Sequence, residues 1–340
     1  MSMQGSSSLR VCVTGGSGFI GSWLLRFLLQ RGYSVHATVK NLKDEGETKH
    51  LEALDGAASR LWLFEMDLLD PTSILAAVNG TAGVFHLASP LILDGLQDPE
   101  KELLDPAVKG TLNVLRAAKE CGVGRVVLVS SQAAMIPNPD WPVDVAVNED
   151  SWADVDLLKK LQLWYCLSKT LAEKAAWEFA SKEGLELVVI NPGMVLGPIL
   201  PPFAGASVKI LLHLLQGSTV TIKFAPRHDS GAQFDMDNLY IGSVDVRDVA
   251  QALILLYENR LAQGRHLCLE RIERWIDFVA KLAELYPEFP VKRVEEDKQP
   301  WVVRAESPSK KLIELGLHFT PLEKLIKDTV ESLKSKGYLK

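Results

Sequence analysis

The run Thr14-Gly15-Gly16-Ser17-Gly18-Phe19-Ile20-Gly21 follows a short apolar stretch, Val11 to Thr14, and enters a helical-period stretch, Ile20 to Arg31. A second apolar run, Val35 to Val39, comes next, so the chain opens as β-α-β. Glycine permits the tight turn, and the missing side chains let the backbone approach a pyrophosphate. Unpaired amides at the helix N-terminus then meet that negative charge. Contacts are expected from Gly15, Ser17, Gly18, Phe19 and Ile20. The alternative is a glycine-rich turn with no ligand, which the strand-turn-helix context disfavours, although the GxxGxxG spacing differs from GxGxxG.

Further strands are predicted at Leu61 to Glu65, Gly83 to Leu87, Val126 to Ser130 and Leu187 to Asn191. Helices lie between them, around Lys109 to Cys121 and Leu157 to Lys182. Such continuously apolar runs suit buried parallel strands in an open α/β sheet, which binds ligands beyond the carboxyl ends of its strands. After Pro192 the rhythm changes. Pro198, Pro201 and Pro202 interrupt the chain, a helix spans Gly205 to Gln216, and a polar stretch runs from Lys223 to Asn238. This stretch reads as a smaller, substrate-binding part, and helices at Val246 to Asn259, Ile272 to Leu285 and Leu322 to Ser335 complete the chain.

Composition narrows the partners. With 340 residues and 47% hydrophobic content the chain can bury one large core or two joined ones. A net charge of -6 gives no broad basic field, and nucleic acid is not an expected partner. Cys12, Cys121, Cys166 and Cys268 lack metal-ligand spacing, so no metal is expected; Cys12 and Cys121 read as core, and reduced thiols fit a cytoplasmic protein. No charged leader and apolar region precede Leu9, and no apolar stretch reaches the roughly 18 residues that span a bilayer. Neither secretion nor membrane insertion is expected.

The second strand ends in Lys40, where an acidic residue would accept from the adenosine ribose and favour NAD. A lysine there suits a 2′-phosphate, with Lys43 assisting, and makes NADP the expected cofactor. Two solvated loop lysines are the alternative, and Asp44, Glu45 and Glu47 weaken the local field. Asp67 could accept from the adenine amine, with Leu68 against the ring, or it could be a solvated turn residue. Leu87, Ala88, Ser89 and Pro90 leave the next strand and could lie alongside the cofactor, or form an ordinary strand exit.

Tyr165 and Lys169 are one helical turn apart and can address the same pocket. That spacing is common by chance, so the context decides. Ser130-Ser131 ends a strand that the parallel sheet can bring beside them. In carbonyl reduction the oxygen develops negative charge, so a hydrogen-bond donor and a proton source must already face it. A serine can polarise the carbonyl and Tyr165 can protonate it. Lys169 is expected to lower the phenol pKa by about 1 to 3 units, and could also hold the nicotinamide ribose. The bland reading is an amphipathic helix with a snorkelling lysine beside a capped strand end.

Four segments carry a family resemblance: Val11 to Leu24, Val84 to Pro90, Trp164 to Lys169, and Asn191 to Pro198. Through them nearly the whole chain resembles the extended short-chain dehydrogenase/reductases, in particular the plant group of cinnamoyl-CoA and dihydroflavonol reductases. The resemblance implies a Rossmann doubly wound parallel sheet with a smaller interleaved C-terminal lobe. Residues 1–200 would form the NADP-binding domain, and 201–340 mainly the substrate lobe, with some segments returning to the first domain. It makes Ser131 rather than Ser130 the catalytic serine, and lays Pro192, Met194 and Val195 against the nicotinamide carboxamide, where Tyr165 and Lys169 also meet the cofactor. It further implies NADPH-dependent reduction of a small aromatic carbonyl, an aldehyde, ketone or CoA thioester, by a monomer or homodimer.

Departures bear on the substrate. The cinnamoyl-CoA reductase signature Asn-Trp-Tyr-Cys-Tyr-Gly-Lys is replaced by Leu163-Trp164-Tyr165-Cys166-Leu167-Ser168-Lys169. Ile210 and His213 stand at the expected CoA-contacting basic positions, with Lys209 adjacent, and the site reads as favouring a free aldehyde. The asparagine of dihydroflavonol reductases is missing among Ala133, Ala134, Met135 and Ile136. Met135, Ile136 and Trp141 could line an apolar aromatic pocket, or simply pack the core. An inserted stretch, Lys223 to Tyr240, could reshape specificity or be a surface loop. Rival readings are a non-catalytic dinucleotide sensor and a nucleotide-sugar epimerase or dehydratase.

Overall fold

A computed structural model describes residues 9–92, 95–142, 144–218, 240–293 and 303–340. The polar stretch 223–239 lies outside them, and Tyr240 opens a strand. In the first half, β1 (Arg10–Thr14), α1 (Phe19–Gln30), β2 (Ser34–Val39), α2 (Glu45–Glu52), α3 (Ala57–Arg60), β3 (Leu61–Glu65), α4 (Pro71–Val78) and β4 (Gly83–His86) follow in order. A π-helical turn, Glu100–Leu104, leads into α5 (Asp105–Glu120), and β5 (Arg125–Val129), α6 (Val155–Lys160), α7 (Trp164–Glu183) and β6 (Leu187–Pro192) continue. The remainder is β7 (Met194–Leu196), α8 (Ala206–Leu215), β8 (Tyr240–Asp245), α9 (Val246–Glu258), β9 (Gly264–Cys268), β10 (Arg271–Arg274), α10 (Trp275–Leu285), α11 (Lys310–Glu314) and α12 (Leu322–Ser335).

Seven strands form one parallel sheet in the order β3-β2-β1-β4-β5-β6-β9, the expected Rossmann doubly wound arrangement. The period-two alternation of a strand sorts its side chains between two helical layers. Val11 and Val13 face α1 and α9 through Leu24, Leu28, Val249 and Leu253. Cys12 between them faces α4, α5 and α7 through Ile74, Val114, Leu115 and Ala176. Both faces of the sheet are therefore covered, as a parallel sheet requires. A smaller sheet, β10-β8-β7, carries a separate core in which Leu211 and Leu215 of α8 pack with Trp275 and Phe278 of α10 and Leu325 and Ile326 of α12.

The structure corrects several boundaries. The helix expected over Leu157 to Lys182 is two helices, broken where Gln162 takes a φ of 54°. Ile272 to Arg274 belong to β10, not to the helix expected from Ile272, because they pair with Gly242 to Tyr240 of β8. Strand β9 was not predicted, since Arg265 and His266 interrupt its apolar pattern, yet both are buried. All four cysteines are free; Cys12 and Cys268 are buried, and Cys121 is partly buried, packed against the core at its margin. Met135 is fully buried against Val147, Leu267 and Leu269, with Ile136 beside it, and the Trp141 indole donates to the Val145 carbonyl at 3.0 Å. Packing, not a substrate pocket, explains Met135 and Ile136, and Trp141 lies outside both the core and the cleft lining.

One buried cation joins the sheet to the helix behind it. Arg125, at the start of β5, donates to the carbonyls of Leu256 (2.6 Å) and Asn259 (2.7 Å) at the C-terminal end of α9, and its Nε to the Glu186 carboxylate at 2.9 Å. It satisfies carbonyls that the helix leaves unpaired and places a positive charge at the negative end of the helix dipole. Arg125→Met is expected to destabilise the protein by about 2–3 kcal/mol, because two carbonyls lose their donor while the half-exposed Glu186 can rehydrate. Urea denaturation followed by circular dichroism measures the loss, and an unchanged midpoint would contradict this account.

Candidate active site

At the carboxyl ends of β1, β4, β5 and β6 lies a cleft of about 670 Å³. Its floor is the glycine turn. Gly15 adopts a φ of +70°, which only glycine takes without strain, and a Cβ there would lie 3.1 Å from the Ala88 backbone. A Cβ on Gly21 would lie 2.3 Å from the Gly15 carbonyl oxygen, so the helix can cross this close to the turn only without a side chain. Gly18 is the N-cap of α1 and offers no capping side chain, leaving the first-turn amides of Phe19 and Ile20, both cleft-lining residues, without a side-chain acceptor. Ser22 braces the turn by donating to the Gly18 carbonyl at 2.7 Å, and His50 of α2 stands 3.1 Å from its hydroxyl.

Behind the turn, the Thr14 hydroxyl accepts from the amides of Leu87 (3.0 Å) and Ala88 (3.1 Å) and lies 2.8 Å from His86 Nδ1. The other ring nitrogen lies 3.3 Å from the Thr111 hydroxyl. Burial pushes the His86 pKa down to about 3, and the nearby Lys169 ammonium pushes the same way, so the imidazole is neutral. This pairing fixes the β4 exit against the β1 exit. In the sequence His86 is only part of an apolar run, and nothing in its spacing marks the link.

The other wall brings Ser131, Tyr165 and Lys169 together. Ser131 follows β5 in an extended conformation, and its hydroxyl accepts from the Ala133 amide at 3.1 Å. Tyr165 sits in the first turn of α7, where the break at Gln162 starts a new helix aimed into the cleft. One turn later, Lys169 is buried and donates to the Val129 carbonyl at 3.0 Å. Burial lowers its pKa to about 8, opposed by Glu173. The expected acidification of Tyr165 is not found. Burial raises the phenol pKa to about 12, opposed by a hydrogen bond with Ser131, because desolvation of a phenolate outweighs the neighbouring groups.

Gly15, Gly18, Phe19, Ile20, Leu87, Ser89, Pro192 and Val195 line the cleft with these three residues. Ala88 sits just beneath it, against Gly15. Met194 points the opposite way from Val195 along β7 and packs in the smaller core, and Ser17 is outside the lining. Farther along the same sheet edge, exposed Lys40 follows β2, its amide donating to Glu47 at 2.6 Å. Asp67, after β3, accepts from the Leu69 amide at 2.8 Å, a turn contact, while Leu68 packs against Gly110.

Pro90, at the end of the expected Leu87 to Pro90 run, lines the cleft, but sequence reasoning missed the rest of the far wall, formed by Leu91 and Ile92 after β4 and by Phe203 to Ser207 before and within α8. Gly205 packs on Phe19, its Cβ position lying 3.4 Å from that ring. The signal available was the proline cluster ending at Pro202, which stops one element and launches the next. Lys209 of α8 lines the cleft, whereas Ile210 packs against the smaller core and exposed His213 is not in the lining. The cation at this wall is therefore Lys209, beside the positions expected from the resemblance.

Known proteins are similar to this chain in sequence and fold. The model of the NAD dependent epimerase/dehydratase family matches residues 11–268. A cinnamoyl-CoA reductase of Medicago truncatula, CAD2, is 45% identical over 331 residues, 96% of either chain. The crystal structure of vestitone reductase from alfalfa superposes with a TM-score of 0.79 at 33% identity, covering 97% of this chain and 99% of that one. Yeast methylglyoxal/isovaleraldehyde reductase Gre2, solved with NADPH, gives a TM-score of 0.77 at 26% identity over 97% of this chain and 100% of that one.

The close approach at Gly21 makes a direct test of the cleft floor. Gly21→Ala should weaken NADPH binding at least about tenfold, since the turn or α1 must shift to clear the new methyl group. Fluorescence titration reads the affinity, and unchanged binding by a folded variant would place the dinucleotide elsewhere.

Proposed function

The chain belongs to the NAD dependent epimerase/dehydratase family, and from that premise we propose that it is an NADPH-dependent reductase of a phenylpropanoid-like aromatic aldehyde or hydroxycinnamoyl-CoA thioester. The observation that carries this reading is the convergence of Ser131, Tyr165 and Lys169 on one cleft whose floor is a glycine turn. The floor fits a dinucleotide: Gly15 and Gly21 leave a cradle that side chains would fill, and the uncapped N-terminus of α1, with Phe19 and Ile20 in its first turn, lines it. Gly15, Ser17, Gly18, Phe19 and Ile20 would hold the pyrophosphate, Lys40 the 2′-phosphate, and Asp67 and Leu68 the adenine. Leu87, Ala88, Ser89, Pro192 and Val195 would flank the nicotinamide half, and Met194, whose side chain packs in the smaller core, would do so only through its backbone. NADPH, when bound, supplies a hydride.

The chain's own groups manage the proton. Ser131 donates to the substrate oxygen, which gains negative charge as the carbonyl carbon is reduced. Tyr165, whose pKa is about 12, is protonated at neutral pH and delivers its proton to that oxygen. The resulting phenolate forms beside the Lys169 ammonium, which offsets its charge in a site where burial would otherwise penalise it. Residues 201–340 supply most of the substrate-binding lobe, and its apolar wall at Phe203 suits an aromatic ring.

Lys209 favours the thioester within this reading, because a cation on the cleft wall can meet the phosphates of CoA. The likeness to vestitone reductase keeps a ketone as the second reading. NADPH oxidation is to be followed separately with coniferaldehyde, phenylacetaldehyde and feruloyl-CoA. Tyr165→Phe is expected to lower kcat at least about 100-fold on any accepted substrate with NADPH affinity retained. Near-normal turnover in that variant would remove Tyr165 as the proton donor, while tight NADPH binding without turnover of any carbonyl would support a sensor.

The pH dependence follows from Lys169. Its charge is present below about pH 8 and lost above it. Reductive kcat is therefore expected to fall as pH rises through that region, while Tyr165 remains protonated. A flat profile between pH 7 and about 9 would contradict the role given to Lys169.

A further inference from the structure

Behind the cleft, one helical turn beyond Lys169 on α7, the carboxylate of Glu173 is 1% exposed. It is charged and buried, and no step of the proposed chemistry uses it. Burying a carboxylate is strongly unfavourable unless it is paired and hydrogen-bonded, so its partners reveal what the position requires. Oε2 accepts from the Ser130 hydroxyl at 2.5 Å and from Asn191 Nδ2 at 2.8 Å. Oε1 accepts from Arg265 Nε at 2.6 Å, with the Trp177 indole at 3.4 Å. Asn191 Nδ2 also donates to the Ser131 carbonyl at 3.1 Å.

These bonds converge on the reacting groups from several elements. Ser130 and Asn191 stand at the ends of β5 and β6, and both hold the backbone that presents Ser131. Arg265 on β9 is anchored in turn, donating to the Glu149 carbonyl at 3.0 Å and to the Ser151 carbonyl, with its guanidinium 3.9 Å from the Trp152 ring centre. The charged and titratable groups around the carboxylate are Lys169 on the same helix, Arg265 on β9, Glu149 in the adjoining loop, and Tyr165 and His86 on the cleft side of Lys169. A neutral side chain at 173 could fill the same space. It would leave Arg265 and Lys169 without a buried counter-charge.

We infer that Glu173 is a positioning residue for the reductase proposed above: through Ser130 and Asn191 it fixes the backbone that carries Ser131, and its charge keeps Lys169 cationic beside Tyr165. The inference rests on that functional reading. Glu173 touches neither substrate nor cofactor and acts only through these neighbours. The opposing influence of Glu173 on the lowered Lys169 pKa agrees with the geometry.

The test compares wild type, Glu173→Gln and Glu173→Gln/Arg265→Met, the double variant removing the guanidinium that the single one strands. In Glu173→Gln, kcat should fall about 10- to 100-fold while the NADPH dissociation constant stays within about threefold, and the alkaline limb of the kcat profile should move to lower pH. The double variant should regain thermal stability but not kcat. In the cofactor-free protein, an NMR titration of Lys169, assigned by its loss in Lys169→Met, should give a lower midpoint without Glu173. Wild-type kcat together with an unmoved Lys169 midpoint in either folded variant overturns the inference and leaves the functional reading standing. A wild-type protein that oxidises NADPH with none of the carbonyls overturns the functional reading and the inference with it. Should neither variant fold, Ser130→Ala, which keeps every charge, decides: about a fivefold or larger loss of kcat at unchanged melting temperature supports the role, and full kcat overturns it.

Discussion

Parallel strands end at a common edge, and everything at this protein's cleft depends on that constraint. Each crossover must return across the sheet to start the next strand, so the strand exits collect at one side with their turns and helix N-termini. Here the β1 exit supplies the glycine turn, β4 the Leu87 to Ser89 segment, β5 Ser131, and β6 Pro192. The same geometry buries both faces of the sheet, so the edge is where backbone amides and polar side chains can remain available. The Thr14, His86 and Thr111 contacts lock two of these exits together, and the Glu173 carboxylate locks two more.

The site shows how desolvation decides protonation. Tyr165, Lys169 and His86 are all shifted toward their neutral forms because each is crowded by protein rather than by water, although Lys169 stays cationic at neutral pH. Among them Lys169 alone has a nearby carboxylate to oppose that tendency, one helical turn away. A phenol that holds its proton is an available acid, and a cation beside it stabilises the base it leaves behind. The expected acidification of Tyr165 by Lys169 treated charge as the larger effect; around this phenol burial is larger.

Features encoded by local patterns were legible in the sequence. The glycine turn, the apolar strands from β1 to β6 and the Tyr165 to Lys169 spacing all rest on interactions within a few residues, and the sheet order follows from their crossovers. What escaped depends on distant partners. Strand β9 carries Arg265 and His266, whose burial makes sense only beside Glu173 and the Val189 carbonyl. Ile272 has a helical neighbourhood in sequence but pairs with Gly242 in space. The helix break at Gln162 is likewise invisible in a continuous amphipathic pattern. Phe203 to Ser207 and Lys209 join the cleft because the chain returns across Phe19, a contact no spacing announces.

The last strand of the main sheet has a temporal consequence. Strand β9 pairs along β6 from Val188 to Pro192, yet between the two come β7, α8, β8 and α9. Until the ribosome has released residues beyond Cys268, β6 is an unpaired edge and Glu173 lacks its arginine. Long-range closures of this kind are late events in folding, because chain entropy is lost before the contact rewards it. The nascent chain must therefore carry an open sheet edge and an interior carboxylate without its ion-pair partner through synthesis of the second half, a period of exposure in which chaperones and misassembly compete for the same surface.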